Sequence, residues 1–503
     1  MGMCYMQANV SPDCSWGCGV LGVRVRGKAP LVWDDVCCWA RIGSTERGIS
    51  GMQVSSTRDV GVAGGGGQVA AHSGLFALGR FADGLGLGEA LSAAVPNAGE
   101  RAPSHDRGKV LVHLLLVLAG GGEACSDIEH LRAQPVLFGE VASDSTLYRA
   151  LRGLGPDVVE ALVGAVAGVR AGVWERRGDA SGSAPVVLDI DSTLVEVHSE
   201  NKQGAAAHFK GGFGFHPMLC ATDAGEPLSI KLRAGNAAAN DICDHIEVLD
   251  AAIAQLPAAV AGGHREGDGQ APLREVHLRV DAAGCSVGIA EACRARNIGF
   301  FMAARSNHQV EAAIDHNRFD AGAWQPALGA GGEPSRRAQV ADLTDSVDLS
   351  GWPAGTRFIA RREPLHPGAQ RTLFDSGNRR YRGFYTDAEG GPAELDAHMR
   401  AHARIENTIA DLKDSGLKRM PFTDFDANAA WAQLVALSLA LVRWFQQLRL
   451  TGPLAQAAPK RLRWQLWHAP ARLVRSSRKQ TLRLLDWWPA TPQLLHACQP
   501  HAP

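Results

Sequence analysis

The sequence predicts a mixed α/β fold around a central sheet, with a helical region ahead of it. Three observations carry this. Between residues 186 and 304 the order is strand (VVLDI), hairpin (FGFHPMLCATDAGEPLSIKLRA, turning at Asp-Ala-Gly), amphipathic helix (NDICDHIEVLDAAIAQL), strand (REVHLRVD) and helix (EACRARNIGF), the rhythm of a mixed sheet with covering helices. From about 68 to 175 apolar side chains recur at three-to-four spacing, the period of packed helices. Apolar content of 46% and charged content of 20% over 503 residues support a full-sized core, in roughly two to four domains at ~100–200 residues each.

Taken in order, residues 1–55 form an irregular extension holding Cys4, Cys14, Cys18, Cys37 and Cys38. Their spacing suits neither a disulfide framework nor a zinc site, which indicates a reducing compartment. The pattern becomes orderly at Met52, a candidate natural start. Residues 56–175 are expected to be a helical, DNA-binding domain, with Ser143 or Asp144 capping STLYRALRGL. ERRGDASGSAP at 175–185 is a linker. Residues 186–304 give the first part of the core, 305–392 a β-rich insertion with strands such as TRFIARRE and RRYRGFYTD, and 393–448 the second part, including AELDAHMRAHARIENTIADLKDSGL as one helix. Residues 449–503 are expected to be a basic helical tail. The longest aliphatic run, VLVHLLLVLA at 110–119, is short of the ~20 residues that span a bilayer. It reads as a buried helix; no membrane partner and no signal peptide are expected.

The formal net charge of −1 excludes a uniformly basic protein. The charge is nevertheless uneven. No acid lies between Asp426 and Asp486, while ten Lys or Arg fall from Arg443 to Arg483, interleaved with Trp444, Trp464 and Trp467. Such a stretch either solvates an amphipathic helix pair or neutralises phosphates.

The chemistry turns on VVLDIDSTL, where Asp189 and Asp191 end an apolar strand. DIDSTL fits the first motif of haloacid-dehalogenase-type phosphohydrolases, with Asp189 as nucleophile. That chemistry also needs a later acidic pair, and the later strand, RVDAAGCS, offers one carboxylate. A metal-dependent nuclease needs about three carboxylates converging on two divalent ions. Asp191, Asp281 at the end of REVHLRVD, and Glu406 in the helix fit that need. Met399, His402, Glu406 and Lys413 recur at i, i+3, i+7 and i+14, on one helical stripe that presents a carboxylate and then a cation. The plainest alternative makes both aspartates ordinary strand-end residues.

Beyond these acids, the chain resembles a bacterial insertion-sequence transposase of the DDE class, with an RNase H-like catalytic core. The likeness runs through RAPSHDRGKVLVHLLLVLAGGGEACSDIEHLRAQPVLFG, LDIDSTLVEVHSE, FKGGFGFHPMLCATDAGEPLSIKLRAGNAAAND, LRVDAAG, ARIENTIADLKDSGL and MPFTDFDANAAWAQLVALSLALVRW, and covers most of 56–485. It implies that Asp191, Asp281 and Glu406 are catalytic and bind two Mg²⁺ or Mn²⁺. Asp189 is left as a supporting residue or as the alternative ligand. It implies double-stranded DNA as partner (element terminal repeats and target DNA), a homodimer on paired ends, and a cytoplasmic, nucleoid-associated protein. The family's helix often reads Tyr-x-x-Arg-x-x-x-Glu-x-x-x-x-x-x-Lys. Glu406 and Lys413 match, while Met399 and His402 stand at the Tyr and Arg positions, leaving Arg400 or Arg404 as substitutes. Candidate DNA contacts are Lys413, His402, Arg404, Arg461, Arg463, Arg472 and Arg475, with Trp352 or Trp324 from the insertion stacking on a displaced base. The implied activity is cleavage at element ends and strand transfer. The alternative is an inactive or domesticated copy that only binds DNA.

Overall fold

A computed structural model of the chain describes residues 69–95 and 104–499, apart from 268, 306, 366–367, 369–374, 377–378 and 478. Every described residue belongs to one compact unit that begins at Gly66. The cysteine-bearing extension and the Met52 start therefore lie outside the described residues.

Five strands form the half of the sheet that matters for chemistry: β1 (Val186–Ser192), β2 (Met218–Thr222), β3 (Pro227–Lys231), β4 (Val276–Val280) and β5 (Gly299–Ala303). Their order is β3-β2-β1-β4-β5. β2 runs antiparallel to β1 and β3, while β4 is parallel to β1 and to β5. β1 is the central strand, which is why it reads as a near-continuous apolar run. The Asp-Ala-Gly turn between β2 and β3 places Gly225 at φ +78°, a conformation a side chain would oppose.

The insertion does not form a separate layer. Strands β6 (Gln325–Leu328), β7 (Pro334–Asp342), β8 (Arg357–Pro364) and β9 (Arg379–Thr386) extend the same sheet outward from β5, with Asp375–Ser376 pairing beside β9. It also holds a helix over His308–Asn317. Asn307 caps this helix, accepting from the Val310 amide at 2.9 Å.

Before the sheet come helices α1 (Ser73–Gly84), α2 (Leu87–Ala94), α3 (Arg107–Gly120), α4 (Asp144–Arg152) and α5 (Pro156–Arg177). α6 (Ile242–Ile253) and α7 (Val287–Ala295) are the crossovers, and α8 is His308–Asn317. α9 (Pro392–Arg400), α10 (Arg404–Leu412) and α11 (Phe425–Arg449) follow the insertion. Ser143 is the cap of α4, its hydroxyl accepting from the Thr146 amide at 3.3 Å.

Side chains alternate across β1. Val186, Leu188 and Ile190 pack with Val248 and Leu249 of α6 and Ile289 of α7. Asp189 and Asp191 therefore face the opposite layer, where Ile405, Ile409 and Leu412 of α10 join a core with Leu219 and Ile230 of β2 and β3. That core continues through α11 into Leu78, Leu114, Leu115 and Leu147 of the N-terminal helices. Those helices are thus packed into one body with the sheet rather than standing as a free module. α11 is long and apolar enough to cross a membrane by composition, but 78% of its most apolar window is buried inside the protein.

Two expectations are corrected. The tail is not wholly helical: Ala471–Ser476 (β10) and Lys479–Leu484 (β11) form an antiparallel hairpin, to which Val69–Ala70 adds a strand. Only the end of the second strand shows a two-residue alternation, exposed Thr481 and Arg483 against half-buried Leu482 and Leu484, as in a ribbon exposed on one side. The helix carrying Glu406 is also broken. A 3-10 turn at Ala401–Ala403 separates α9 from α10, and Ser415 and Gly416 leave helical geometry.

Candidate active site

The β1–β4 pairing sets the first two acids side by side. Ile190 opposite Val280 is the last registered pair of these parallel strands, and Asp191 and Asp281 are the next residue on each. Asp281 folds back on its own turn, Oδ1 accepting from the amides of Ala283 at 2.9 Å and Gly284 at 3.2 Å. Asp191 Oδ1 accepts from the Ser192 amide at 2.6 Å. Glu406 is exposed in the first turn of α10.

Asp191 responds to both of the other acids. The Asp191 carboxyl is pushed up to about 6, first by burial, then by Asp281 and, more weakly, by Glu406; the Ser192 amide and His402 oppose the rise. Asp191 is thus the acid that feels both others. Among the described residues no three His, Cys, Asp or Glu side chains gather tightly enough to hold one ion. The donor set is nonetheless of the kind that hard divalent cations take. All three offer carboxylate oxygen, and their mutual repulsion is what a cation would relieve.

Asp189 has a different position. It is 1% exposed, and Arg279, also 1% exposed, grips both of its oxygens, Nε to Oδ1 at 2.8 Å and Nη2 to Oδ2 at 2.6 Å. His402 Nδ1 lies 2.7 Å from the same Oδ1. With both oxygens engaged, Asp189 is neither an accessible nucleophile nor an open metal ligand. This removes the phosphohydrolase reading, which needs Asp189 to attack phosphorus.

The other candidates separate by environment. Lys413 is half-buried, its ammonium lowered by burial and by Lys210, with Glu196 and Asp191 opposing. It is therefore coupled to Asp191 and to Lys210, a cation that sequence reasoning passed over because it sits in a short hairpin rather than on the Glu406 helix. His402 is buried against Asp189 and not presented to a surface. Arg404 is exposed. Arg400 is tied to Asp396 at 2.9 Å and to the Leu328 carbonyl at 2.7 Å. Trp352 stacks on Tyr385 with ring centres 4.2 Å apart, and buried Trp324 donates to the Asn317 carbonyl at 2.9 Å. Both rings are thus engaged within the insertion.

In the tail, Arg463 is a brace, donating to the carbonyls of Ala119 at 3.2 Å and Asp414 at 2.8 Å. Arg461, Arg472 and Arg475 are exposed. Arg472 lies directly opposite Arg483 in the hairpin register, and that residue is exposed as well. Like charges so placed repel, and among the described residues neither has an acidic partner.

No curated protein matches the chain. The model of the transposase DDE domain, group 1, matches residues 52–501, nearly the whole chain and all of the site described above. The chain belongs to this transposase DDE domain family.

Proposed function

We propose that the chain is a DNA transposase that cuts at the ends of a bacterial insertion sequence and joins the freed 3′-hydroxyl to target DNA. In this reading Asp191, Asp281 and Glu406 would hold two Mg²⁺ or Mn²⁺ ions. The observation that carries it is the position of Asp191: it is one residue past the last β1–β4 pair, beside Asp281, and charge-coupled to Glu406. The strand order β3-β2-β1-β4-β5, with an antiparallel meander followed by two parallel strands, supports an RNase H-like core. When bound, such a pair of cations activates the attacking oxygen and stabilises the leaving one.

The protein's own groups do the rest. The acids would hold the cations in place against the strand ends and the first turn of α10. Lys413, which is coupled to Asp191 and to Lys210, draws a backbone phosphate toward the acids. Lys460, Arg461, Arg472, Arg475, Lys479 and Arg483, all exposed, bind the duplex backbone by counterion release. Exposed Trp464 and Trp487 stand among them. Two protomers on paired ends, within the bacterial nucleoid, complete the reading.

The experiment is nicking of DNA carrying the element's ends in Mg²⁺, under single turnover, for the parent and for Asp191→Ala, Asp281→Ala and Glu406→Ala. Each variant is expected to lose nicking by at least about a thousandfold, on the scale of transition-state stabilisation by metal sites, while binding end DNA within a few-fold of the parent. Parental nicking by any one of them removes that residue from the centre.

A further inference from the structure

Beneath the three acids lies a second buried constellation built on the same three elements. Asp189 precedes Asp191 by two residues on β1, and Arg279 precedes Asp281 by two on β4. His402 precedes Glu406 by four, at the entry to α10. A step of two along a strand, or of four along a helix, keeps side chains on one face. Each acid at the surface of the pocket therefore has, directly behind it on its own element, one member of the inner group. The members bind one another: Arg279 clamps Asp189 through two nitrogens, at 2.8 and 2.6 Å, and His402 Nδ1 reaches the same carboxylate at 2.7 Å. The remaining arm of Arg279 donates to the His398 carbonyl at 2.8 Å, in the last turn of α9.

We propose that Asp189, Arg279 and His402 are positioning residues that set the separation of Glu406 from Asp191 and Asp281. This inference rests on the proposed two-ion reading and goes beyond it, because it assigns the approach of the glutamate helix to one buried carboxylate. Glu406 stands in the first turn of α10, which enters directly from the 3-10 segment Ala401–Ala403 that carries His402. Its tie to the sheet at this depth is His402 to Asp189, reinforced by Arg279 on the preceding helix end. The carboxylate accepts, so His402 Nδ1 carries the hydrogen, and the ring is fixed in one tautomer. Asp189 adds no uncompensated charge beneath the acids, because the guanidinium neutralises it at contact distance.

The test uses the full chain. Removing Arg279 or Asp189 strands a buried charge and can unfold the protein, so the informative variants are His402→Ala and His402→Asn. The Ala variant cuts the tie and leaves the Asp189–Arg279 pair intact. The Asn variant restores an N–H that reaches the same oxygen. Mn²⁺ binding is read by electron paramagnetic resonance without DNA, and nicking and end-DNA affinity are read separately. His402→Ala is expected to weaken Mn²⁺ binding and slow nicking by ~10–100-fold, the usual effect of removing a group that orients a metal ligand. Its DNA affinity stays within twofold, and His402→Asn recovers most of both losses. Parental Mn²⁺ binding by His402→Ala, or a folded His402→Asn as impaired as the Ala variant, overturns the proposal. Asp191→Ala is run alongside: if it keeps Mn²⁺ binding, the two-ion reading itself has failed, whereas its loss together with parental His402→Ala behaviour sinks the positioning role alone.

Discussion

The pocket at Asp191 and the hairpin β10–β11 each gather charge of one sign, under opposite conditions. At the acids, burial and then Asp281 and, more weakly, Glu406 raise the proton affinity of half-buried Asp191. The cation beneath it, Arg279, is fully committed to Asp189 and to a helix end. On the hairpin, Arg472 faces Arg483 in register, both exposed and without an acidic partner among the described residues. A charge withdrawn from water must be matched by a fixed partner, whereas one left in water can wait for a ligand. Burial and partner therefore separate the arginines that shape this protein from those available to a phosphate; residue type alone does not.

That contrast can be broken at several points. The largest expected effect on stability is Arg279→Met, which leaves Asp189 buried without its clamp. Urea unfolding should show a loss of roughly 3–5 kcal/mol, the usual cost of breaking a buried ion pair from one side. A loss below 1 kcal/mol would mean that the pair is far wetter than its geometry implies. Next, the double variant Arg472→Ala, Arg483→Ala should flatten the dependence of log K for DNA on log salt by about 2, since each phosphate contact contributes about 0.9. Its thermal stability should be unchanged or slightly raised, because two repelling cations are gone. An unchanged salt slope would move the DNA surface elsewhere.

A smaller effect is expected from pH. Burial, followed by His468 and His130, holds His72 down to about 4, and burial, followed by Arg279 and His277, does the same for His398. Between about 4 and the ordinary value near 6.5 the unfolded chain takes up protons that the folded chain refuses, so stability is lost as pH falls through that window. Asp191 acts in reverse: its raised carboxyl binds a proton more readily in the folded chain, which favours folding as pH falls from about 6 toward 4. Melting temperature measured from pH 7 to pH 4 should decline, less steeply for His72→Gln and more steeply for Asp191→Asn. The smallest effect is Ser143→Ala, which removes the α4 cap and should cost about 1 kcal/mol in urea unfolding.

Much of the sheet was legible because its strands carry their period openly. VVLDI, the Asp-Ala-Gly hairpin and REVHLRVD all fall where the structure has β1, β2–β3 and β4. The separation of Asp189 from Asp191 was not legible. Both lie on one face of one strand, and only the arrival of Arg279 from β4 and His402 from the helix turn distinguishes them. Arg279 gave no signal, since an arginine inside a strand reads as a polar edge until its partner is placed. The hairpin at 471–484 was hidden by its basic composition, which drew attention to charge and away from alternation. The insertion helix at His308–Asn317 was missed because the surrounding Gly and Pro suggested strands and turns. The N-terminal helices were found in place, but their shared core with α11 depends on contacts more than 300 residues apart, such as Ser438 donating to the Leu115 carbonyl at 2.8 Å.

The most direct test of the centre is to give Asp191 a softer ligand. Asp191→Cys replaces a hard oxygen, which Mg²⁺ requires, by sulfur, which Mn²⁺ tolerates better. Nicking of end DNA should vanish in Mg²⁺ and return at least tenfold when Mn²⁺ is supplied instead. Nicking by the Cys variant at the parental rate in Mg²⁺ would contradict the assignment of Asp191 as a metal ligand.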